Sequence, residues 1–358
     1  DDMHGNIFQA SWSHKCPTYI QRTPPCQGSC PAGEDIRGWL DIVRGIEKPT
    51  GDMSMQEYAF RRATDANPFP SMMGRVCPAP CEEGCNRNHV DDFVGINSVE
   101  QYIGDTAIEN GFTYQAGAST GKKVAVIGGG PAGMAAAYQL RRMGHDATVF
   151  EERAELGGMM RYGIPGYRIP REKLAAEINR IVDMGVEVKT NTRVGKDISV
   201  DQLEKDFDAV LWALGCWTGR GLPVDGWETA SNCVDGLSFL EAFNNGRMKV
   251  TGKKLVCIGG GDTSIDVVSV ARRIGFNADA GLPEAILNNN ETQDQSLAEN
   301  AVPCDATLTS LFTKDKMMAA EHEIVDATEE GVTIYDGVMP LEVILGDDGR
   351  ATGLKVCD

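Results

Sequence analysis

The chain has 358 residues, of which 42% are hydrophobic and 24% are charged, a globular balance that excludes fibrous and disordered classes. Asp and Glu number 52 against 34 Lys and Arg, so the formal net charge is −18. An acidic surface repels nucleic acid and anionic membranes, so we expect neither as a partner. No apolar run reaches the roughly 18 residues needed to cross a bilayer, and no secretion leader opens the chain, so we expect a cytoplasmic protein without a membrane span.

The first third of the chain combines predicted helices with two groups of cysteines. Apolar residues at helical spacing predict helices over 35–46, 57–66 and 99–110. Close-spaced thiolates in turns bounded by Pro and Gly suit iron–sulfur clusters. Zinc is the main alternative, although no Cys-x2-Cys knuckle is present, and structural disulfides are disfavoured in a cytosolic protein. Six of the eleven cysteines lie in this region: Cys16, Cys26, Cys30, Cys77, Cys81 and Cys85.

A small, polar stretch over 115–121 predicts a linker, and the pattern beyond it alternates between buried strands and amphipathic helices. A strand, a glycine-rich turn, a helix and a second strand form a βαβ unit, which implies a parallel sheet. The polar stretch 277–304 lacks periodicity and is interpreted as a surface insertion. Strands are predicted over 123–128, 144–151, 208–215, 254–259 and 306–312, with a pair within 331–345, and helices over 132–143 and 263–274.

The first glycine-rich turn has the pattern of a dinucleotide-binding motif. Gly128 permits the tight turn, Gly130 lets the backbone approach a pyrophosphate, and Gly133 lets the helix pack on the strand. The N-terminus of the helix offers unpaired N–H groups and a positive dipole end to the anion. Glu151 ends the second strand, where it is placed to accept hydrogen bonds from a ribose diol. An unliganded glycine turn is the alternative interpretation.

The second glycine-rich turn repeats this pattern with one change at its third glycine. Ser264 takes that place, so we expect helix and strand to lie slightly further apart. Two dinucleotide folds in one chain indicate two dinucleotides that exchange a hydride, and the alternative is a degenerate repeat kept for packing. The candidate binding residues of this turn are Gly259, Gly261, Asp262, Thr263 and Ser264.

Residues 313–316, after the predicted strand 306–312, bear on the choice of coenzyme. A 2′-phosphate favours Arg because of its bidentate geometry. The turn contains no Arg, one Asp and two Lys. We therefore expect NAD(H) rather than NADP(H). The alternative is that the charges of this turn are simply solvated loop charges.

Four segments resemble the glutamate synthase small-subunit family of iron–sulfur flavoproteins: residues 124–134, 155–170, 213–215 and 259–266. The cysteine-rich start is similar to the leading domain of that family and of dihydropyrimidine dehydrogenase. The resemblance implies an α/β fold with an N-terminal helical iron–sulfur domain followed by two Rossmann-like dinucleotide-binding domains, for FAD and NAD(P)H. It implies FAD and two [4Fe–4S] clusters as cofactors.

The resemblance also implies domain boundaries and ligands. The iron–sulfur domain would cover 1–118, the first part of the FAD domain 119–225, and the NAD(P)H domain 226–358. The family's cluster ligands alternate between the cysteine groups, so one cluster would use Cys30, Cys77, Cys81 and Glu100, and the other Cys16, Cys26 and Cys85. A solvated helical side chain is the alternative for Glu100. The FAD site would include Gly128, Gly130, Pro131, Ala132, Gly133, Glu151, Gly158 and Arg161.

The sequence departs from the family pattern in four places. Only Cys16 stands where the family has a Cys-x2-Cys pair, which leaves one cluster without an evident fourth ligand other than His14. The spacing from Cys77 to Cys81 is two residues shorter than usual, the Arg-rich phosphate-binding stretch is missing, and the segment that closes the flavin site is absent, so we expect a fragment. These features are similar to the DsrL-type branch, which is linked to dissimilatory sulfite reductase in sulfur oxidisers.

The resemblance predicts an NAD(P)H:acceptor oxidoreductase that passes electrons between NAD(H), FAD and the clusters. Its partner would be dissimilatory sulfite reductase or another redox protein, and a homodimer is expected. One alternative is a glutamate synthase small subunit; another is a non-enzymatic electron-transfer or docking module. We name no catalytic acid or base, because hydride transfer between cofactors requires none. Trp217 is interpreted as a core aromatic residue, with a place near the flavin or nicotinamide as the alternative.

Overall fold

The computed structural model describes residues 23–90 and 93–357. Within these ranges no helix has the length and apolar character required to cross a bilayer. The helices are α1 (Pro25–Ser29), α2 (Ile36–Val43), α3 (Met55–Ala63), α4 (Pro70–Val76), α5 (Pro80–Glu83), α6 (Ile96–Glu109), α7 (Pro131–Arg142), α8 (Met159–Tyr162), α9 (Arg171–Val182), α10 (Val200–Asp206), α11 (Gly236–Asn244), α12 (Asp262–Ile274), α13 (Pro283–Asn289) and α14 (Glu321–Glu329). The strands are β1 (Lys123–Ile127), β2 (Asp146–Phe150), β3 (Glu187–Lys189), β4 (Ala209–Trp212), β5 (Lys254–Ile258), β6 (Asp305–Thr309), β7 (Thr333–Tyr335), β8 (Met339–Leu345) and β9 (Ala351–Cys357).

The chain divides into two compact units, and the division does not follow the predicted boundary at residue 118. One unit contains the described residues up to 66 and those between 79 and 96, and the other contains Asn67–Pro78 and the chain from Asn97 onward. Helices α4 and α6 therefore belong with the dinucleotide folds. The three predicted domains stay a prediction.

The first unit is a small helical assembly whose helices start at side-chain caps. Asp35 and Ser54 accept backbone N–H groups at the starts of α2 and α3, which satisfies donors that a helix start leaves unpaired. Trp39 and Phe60 are fully buried. Arg62 on α3 pairs with Asp35 at 3.1 Å and so joins the two helices. The predicted helices over 35–46 and 57–66 are confirmed as α2 and α3.

In the second unit, the first sheet is parallel throughout and has the order β3-β2-β1-β4. One face is covered by α7 and α9, where Met134 and Leu174 are fully buried against Val126 and Val149. On the opposite face Leu203 packs on the strands. Coverage of both faces is what parallel strands require, and the predicted βαβ unit is confirmed.

The second sheet, β5-β6-β7, is also parallel. Leu308 on β6 is fully buried against Val268 and Val270 of α12, and Phe239 of α11 joins the same core. Strands β8 and β9 form an antiparallel pair in which Met339 faces Cys357. The predicted helix over 263–274 is confirmed as α12, and the two strands predicted within 331–345 are β7 and β8, which belong to different sheets.

Most of residues 277–304 are exposed, in agreement with the interpretation as a surface insertion, but two side chains anchor the segment in the protein. The segment contains α13, whose Ile286 is buried in the core of the second sheet. The side-chain oxygen of Gln293 accepts the backbone N–H groups of Lys249 at 2.8 Å and Val250 at 2.9 Å. One apolar side chain and one buried amide thus anchor the segment, which is too few to produce an apolar periodicity along the sequence.

Candidate dinucleotide and cluster sites

Two glycines of the first turn are required by the fold itself. Gly128 follows β1 with a φ of +109°, a conformation that other residues rarely adopt, and a Cβ there would overlap the carbonyl oxygen of Ala213. A Cβ at Gly133 would overlap the carbonyl oxygen of Gly128. The predicted roles of these residues in the turn and in helix packing agree with this geometry.

Gly130 is different, because the fold does not require a glycine there. Its φ of −78° and ψ of −175° are open to any residue, and a Cβ would meet only the Cα of Gly158, at 3.6 Å. The space next to Gly130 lies beside the start of α7, which Pro131 and Ala132 form. A cradle that a side chain would fill, at the N-terminus of a 12-residue helix, fits the pyrophosphate of a bound FAD.

Glu151 lies directly after β2 and is 7% exposed. One carboxylate oxygen accepts the N–H of Gly129 at 2.8 Å and the other accepts the N–H of Arg153 at 2.9 Å. A carboxylate offers about four acceptor sites, so this fixed group keeps capacity for a ribose diol. Its role as a ribose ligand stays a prediction.

Gly158 and Arg161 lie on the side of the first cradle, the space beside Gly130, that faces the start of α7. Gly158 precedes α8 with a φ of +49°, and a Cβ there would lie 2.6 Å from the Cα of Gly130. Arg161 donates from Nε to the carbonyl oxygen of Leu156 at 2.6 Å. The arginine therefore holds the turn that brings Gly158 to Gly130, while a direct contact with FAD stays a prediction.

The second glycine-rich turn forms a second cradle, in which again one glycine is required by the fold and another is not. Gly259 has a φ of +148°, and a Cβ there would overlap Oγ of Ser264. Gly261 has an ordinary φ of −107°, and a Cβ there would meet nothing within 4 Å. Asp262 accepts the N–H of Ala320 at 3.1 Å, whereas Thr263 is exposed at the start of α12. The open space at Gly261 fits a second pyrophosphate.

Strand register identifies a residue of the second cradle that sequence analysis missed. Ile127 pairs with Phe150 in the first sheet, and Ile258 pairs with Thr309 in the second. Ser310 therefore stands where Glu151 stands in the first fold, and a Cβ at Gly260 would lie 2.6 Å from its Oγ. The predicted strand 306–312 hid this equivalence, because β6 ends at Thr309.

Four of the predicted cluster ligands belong to the helical unit. Cys26 lies in α1 and Cys30 ends it, while Cys81 lies in α5 and Cys85 follows that helix. The two helices approach so closely that a Cβ at Gly84 would overlap Oγ of Ser29. Burial raises the pKa of the Cys26 thiol, and Cys85 adds to this. In the described ranges no cysteine forms a disulfide.

The other two described candidates, Cys77 and Glu100, belong to the second unit. Cys77 ends α4, and its carbonyl oxygen accepts from Nδ2 of Asn97 at 2.8 Å. Glu100 is 5% exposed and accepts from Nδ2 of Asn67 at 2.6 Å. The alternative in which Glu100 is a solvated helical side chain is therefore wrong.

The placed residues do not complete a cluster site. Within 23–90 and 93–357, no three Cys, His, Asp or Glu side chains form a group that could hold a metal ion. Cys16 and His14 lie outside the described residues. The two ligand sets stay predictions.

Arg153 and Trp217 form a contact that the sequence did not indicate. The Arg153 guanidinium lies 4.0 Å from the ring centroid of Trp217 and 4.6 Å from that of Tyr162. It also pairs with Glu241 of α11. Trp217 is half-buried against a cation, so its interpretation as a core aromatic residue is wrong.

The fold and its paired cradles define a dinucleotide-dependent oxidoreductase, and the family comparison agrees. Residues 122–351 match the pyridine nucleotide-disulphide oxidoreductase family, and the chain belongs to it. Residues 7–112 match the family described as dihydropyrimidine dehydrogenase domain II, 4Fe-4S cluster. The two matches confirm the predicted fold class, and with the relatives described next they confirm the resemblance to the glutamate synthase small-subunit family.

Three curated relatives illustrate this membership. The chain is 34% identical over 343 residues to the NADPH-Fe(3+) oxidoreductase subunit beta of Geobacter sulfurreducens, covering 93% of this chain and 45% of that protein. It is 37% identical over 266 residues to the glutamate synthase [NADPH] small chain of Mycobacterium tuberculosis, covering 70% and 53%. For the Escherichia coli small chain the values are 31% over 350 residues, 93% and 66%. The chain thus spans about half the length of the first two.

Among solved structures, FprA from Mycobacterium tuberculosis, as its His57Gln mutant, superimposes with a TM-score of 0.52. The match covers 66% of this chain and 63% of that chain at 13% sequence identity. At this identity the likeness supports the fold alone.

Proposed function

We propose that the chain is the electron-exchange part of an iron–sulfur flavoprotein that acts between NAD(P)H, FAD and a protein acceptor or donor. The supporting observation is a repeated one: Gly130 and Gly261 leave open space at the starts of α7 and α12, in folds of one compact unit. When bound, FAD supplies the conversion of a two-electron hydride into single electrons. The chain's own contribution is backbone N–H groups that hold each pyrophosphate.

For the first cradle we propose FAD, held by Gly128, Gly130, Pro131, Ala132, Gly133, Glu151, Gly158 and Arg161. For the second we propose a nicotinamide dinucleotide, held by Gly259, Gly261, Asp262, Thr263 and Ser264.

NAD(H) remains our proposal over NADP(H). The turn 313–316 contains no Arg, and its Lys314 N–H donates to the carboxylate of Asp336 at 2.9 Å. Asp336 and Asp315 oppose a 2′-phosphate at this turn, because like charges repel at short range. The relatives named above carry NADPH in their names, so the comparison of the two coenzymes is a direct test.

The cluster assignment also stays a proposal: two [4Fe–4S] clusters, with Cys30, Cys77, Cys81 and Glu100 for one and Cys16, Cys26 and Cys85 for the other. Support comes from the family match over 7–112 and from the donor chemistry of cysteine side chains, none of which forms a disulfide in the described part of the chain. Glu100→Ala is expected to lower the iron content by about four atoms per chain. Unchanged iron in this variant would leave Glu100 only as the partner of Asn67.

The partner is proposed from the resemblance to the DsrL-type branch: dissimilatory sulfite reductase, or another redox protein in its place. The relatives named as a subunit and a small chain work, by those names, as parts of assemblies. We further propose a homodimer and a cytoplasmic location. A pull-down with purified sulfite reductase tests the partner, and sedimentation tests the homodimer.

The nearest alternative function is a glutamate synthase small subunit, which the 37% identity to the Mycobacterium tuberculosis chain favours. It requires glutamine-dependent glutamate formation when the chain is mixed with a large subunit. The other alternative, a non-enzymatic electron-transfer or docking module, requires that NADH leave a fully bound flavin oxidised.

One experiment tests the main proposal. The full chain is purified without air, its FAD and iron are quantified, and oxidation of NADH and of NADPH is followed with an artificial acceptor on the same sample. We expect bound FAD, bound iron and a higher kcat/KM for NADH. A colourless, iron-free protein contradicts the proposed function, and a higher kcat/KM for NADPH contradicts only the coenzyme assignment.

A further inference from the structure

Asn244, the last residue of α11, uses its side-chain amide to hydrogen-bond to the other dinucleotide fold. Its Nδ2 donates to the carbonyl oxygens of Tyr162 and Gly163, both at 3.0 Å. Its Oδ1 accepts from Nη2 of Arg171 at 2.8 Å. These carbonyls lie at the C-terminal end of α8, where a helix leaves acceptors without an internal partner. One amide thus serves as donor and acceptor across the junction of the two folds.

Each side of this junction leads directly to a cradle. On one side, α8 begins after Gly158, which approaches Gly130 in the proposed FAD cradle. On the other side, α11 packs on α12, the helix that begins at the second cradle, through Phe239 and Val267 of the shared core. The path from one cradle to the other through Asn244 therefore consists of three helices, α8, α11 and α12, and a single side chain.

Two further contacts join the same segment to the second fold. Arg168 donates to both carboxylate oxygens of Asp266 on α12 at 2.9 Å and pairs with Glu323 on α14. The guanidinium of Arg273 on α12 lies 3.8 Å from the ring centroid of Tyr167. Asn244 differs from these two contacts because it binds backbone carbonyl oxygens at the end of α8, the helix that begins at the first cradle.

We propose that Asn244 is a positioning residue that fixes the second dinucleotide fold against α8, so that the two bound dinucleotides meet in the orientation for hydride transfer. This inference rests on the proposed function. Hydride transfer is sensitive to small displacements of the reacting groups, and a misplacement of about 1 Å lowers a rate by roughly 100-fold. Asn244 itself touches neither cradle.

The test compares Asn244→Asp with Asn245→Asp in the full chain. Asn244→Asp keeps size and the acceptor for Arg171, but it replaces the donor by an oxygen facing two carbonyl oxygens. Asn245 is the exposed neighbour, so Asn245→Asp makes the same change of charge without touching the junction. Asn244→Ala removes the hydrogen bonds without added charge and serves if the aspartate variant does not fold.

Two measurements are made on the FAD-loaded proteins. Stopped-flow absorbance gives the limiting rate constant of flavin reduction by NADH and the apparent Kd of NADH, and hydrogen exchange without NADH reports on 158–171 and 236–245. For Asn244→Asp we expect full FAD content and a limiting rate lower by at least about 10-fold. The Kd of NADH should change by less than about 2-fold, because the coenzyme cradle is untouched. Hydrogen exchange should be faster in both segments. Asn245→Asp is expected to match the wild type.

A wild-type limiting rate together with wild-type exchange in Asn244→Asp overturns the inference. So does a rate that falls only in proportion to lost FAD, because the residue would then support the cradle rather than the orientation of the folds. If NADH does not reduce the wild-type flavin, the proposed function fails instead, and the exchange measurement still decides whether Asn244 holds the junction.

Discussion

Gly130 and Gly261 are glycines that the folded chain does not need. Both have backbone angles open to any residue, and neither is crowded at its Cβ position. Gly128 and Gly259, in contrast, have positive φ angles. A glycine without a conformational or packing reason, at the start of a helix after a parallel strand, is a residue kept small for a ligand.

Gly130→Val therefore tests the first cradle without disturbing the fold. The valine side chain occupies the place of the pyrophosphate, so we expect FAD content to fall more than about 10-fold with unchanged iron. The melting temperature should equal that of the wild-type protein stripped of FAD, because the loss of a bound cofactor by itself lowers the melting temperature. The matched variant is Gly261→Val, which should keep FAD and lose NADH binding. Stoichiometric FAD in Gly130→Val would show that the assignment of this cradle is wrong.

Glu177 on α9 is a fully buried carboxylate that accepts the N–H groups of Ser71 at 2.8 Å and Met72 at 3.1 Å, at the start of α4. Burial raises the pKa of Glu177 to about 7, although these N–H groups and Arg180 oppose the shift. The folded protein thus holds this proton to a higher pH than the unfolded chain, which releases it near 4.5. The stability contributed by protonation is present below about pH 4.5 and declines as the pH rises toward 7.

We accordingly expect the free energy of unfolding of the wild type to fall between pH 4.5 and 7, and to fall less steeply in Glu177→Gln. Urea titrations across this range measure both slopes, and groups common to the two proteins cancel in the difference. Parallel slopes would mean that Glu177 does not change its protonation on unfolding.

At the scale of elements, α4 and α6 cross at two glycines. A Cβ at Gly104 would overlap the backbone of Ser71, and a Cβ at Gly74 would overlap the backbone of Gln101. Backbone cannot move aside as a flexible side chain can, so any larger residue separates the helices. This crossing places α4, which ends at Cys77, on the second unit.

Gly104→Ala is expected to destabilise the protein by about 1–3 kcal/mol, the usual cost of overpacking. Gly281→Ala is the matched control, because a Cβ there meets nothing within 4 Å, and we expect a change within about 0.5 kcal/mol. Urea unfolding measures both. Equal stabilities would show that the helices separate at no cost.

At the scale of the whole molecule, the second unit depends on charges buried between its two folds. Arg168 neutralises Asp266 and Glu323, whose side chains are 8% and 12% exposed. Burial raises the pKa of Asp266 to about 6 even beside this arginine. Removal of the cation leaves two carboxylates in a poorly solvated place.

Arg168→Met is therefore expected to lower the free energy of unfolding by about 3 kcal/mol at pH 8. The loss should shrink at pH 5, because protonation of Asp266 removes the uncompensated charge. Adding Asp266→Asn and Glu323→Gln to the arginine variant should restore part of the stability at pH 8. A loss independent of pH would indicate that Arg168 contributes by packing rather than by charge.

The sequence by itself determined the two βαβ units, their glycine turns and the family, because these features depend on contiguous residues whose periodicity and spacing are visible along the chain. The tertiary structure decided the rest. The carboxylate of Glu177 accepts N–H groups at the start of α4, 106 residues away in the sequence. Gln293 accepts two backbone N–H groups although it lies in a polar segment. Asn244 joins two folds through a side-chain amide that no sequence pattern indicates. Such contacts depend on which distant backbone groups the fold leaves without partners, and that is fixed only when the whole chain has packed.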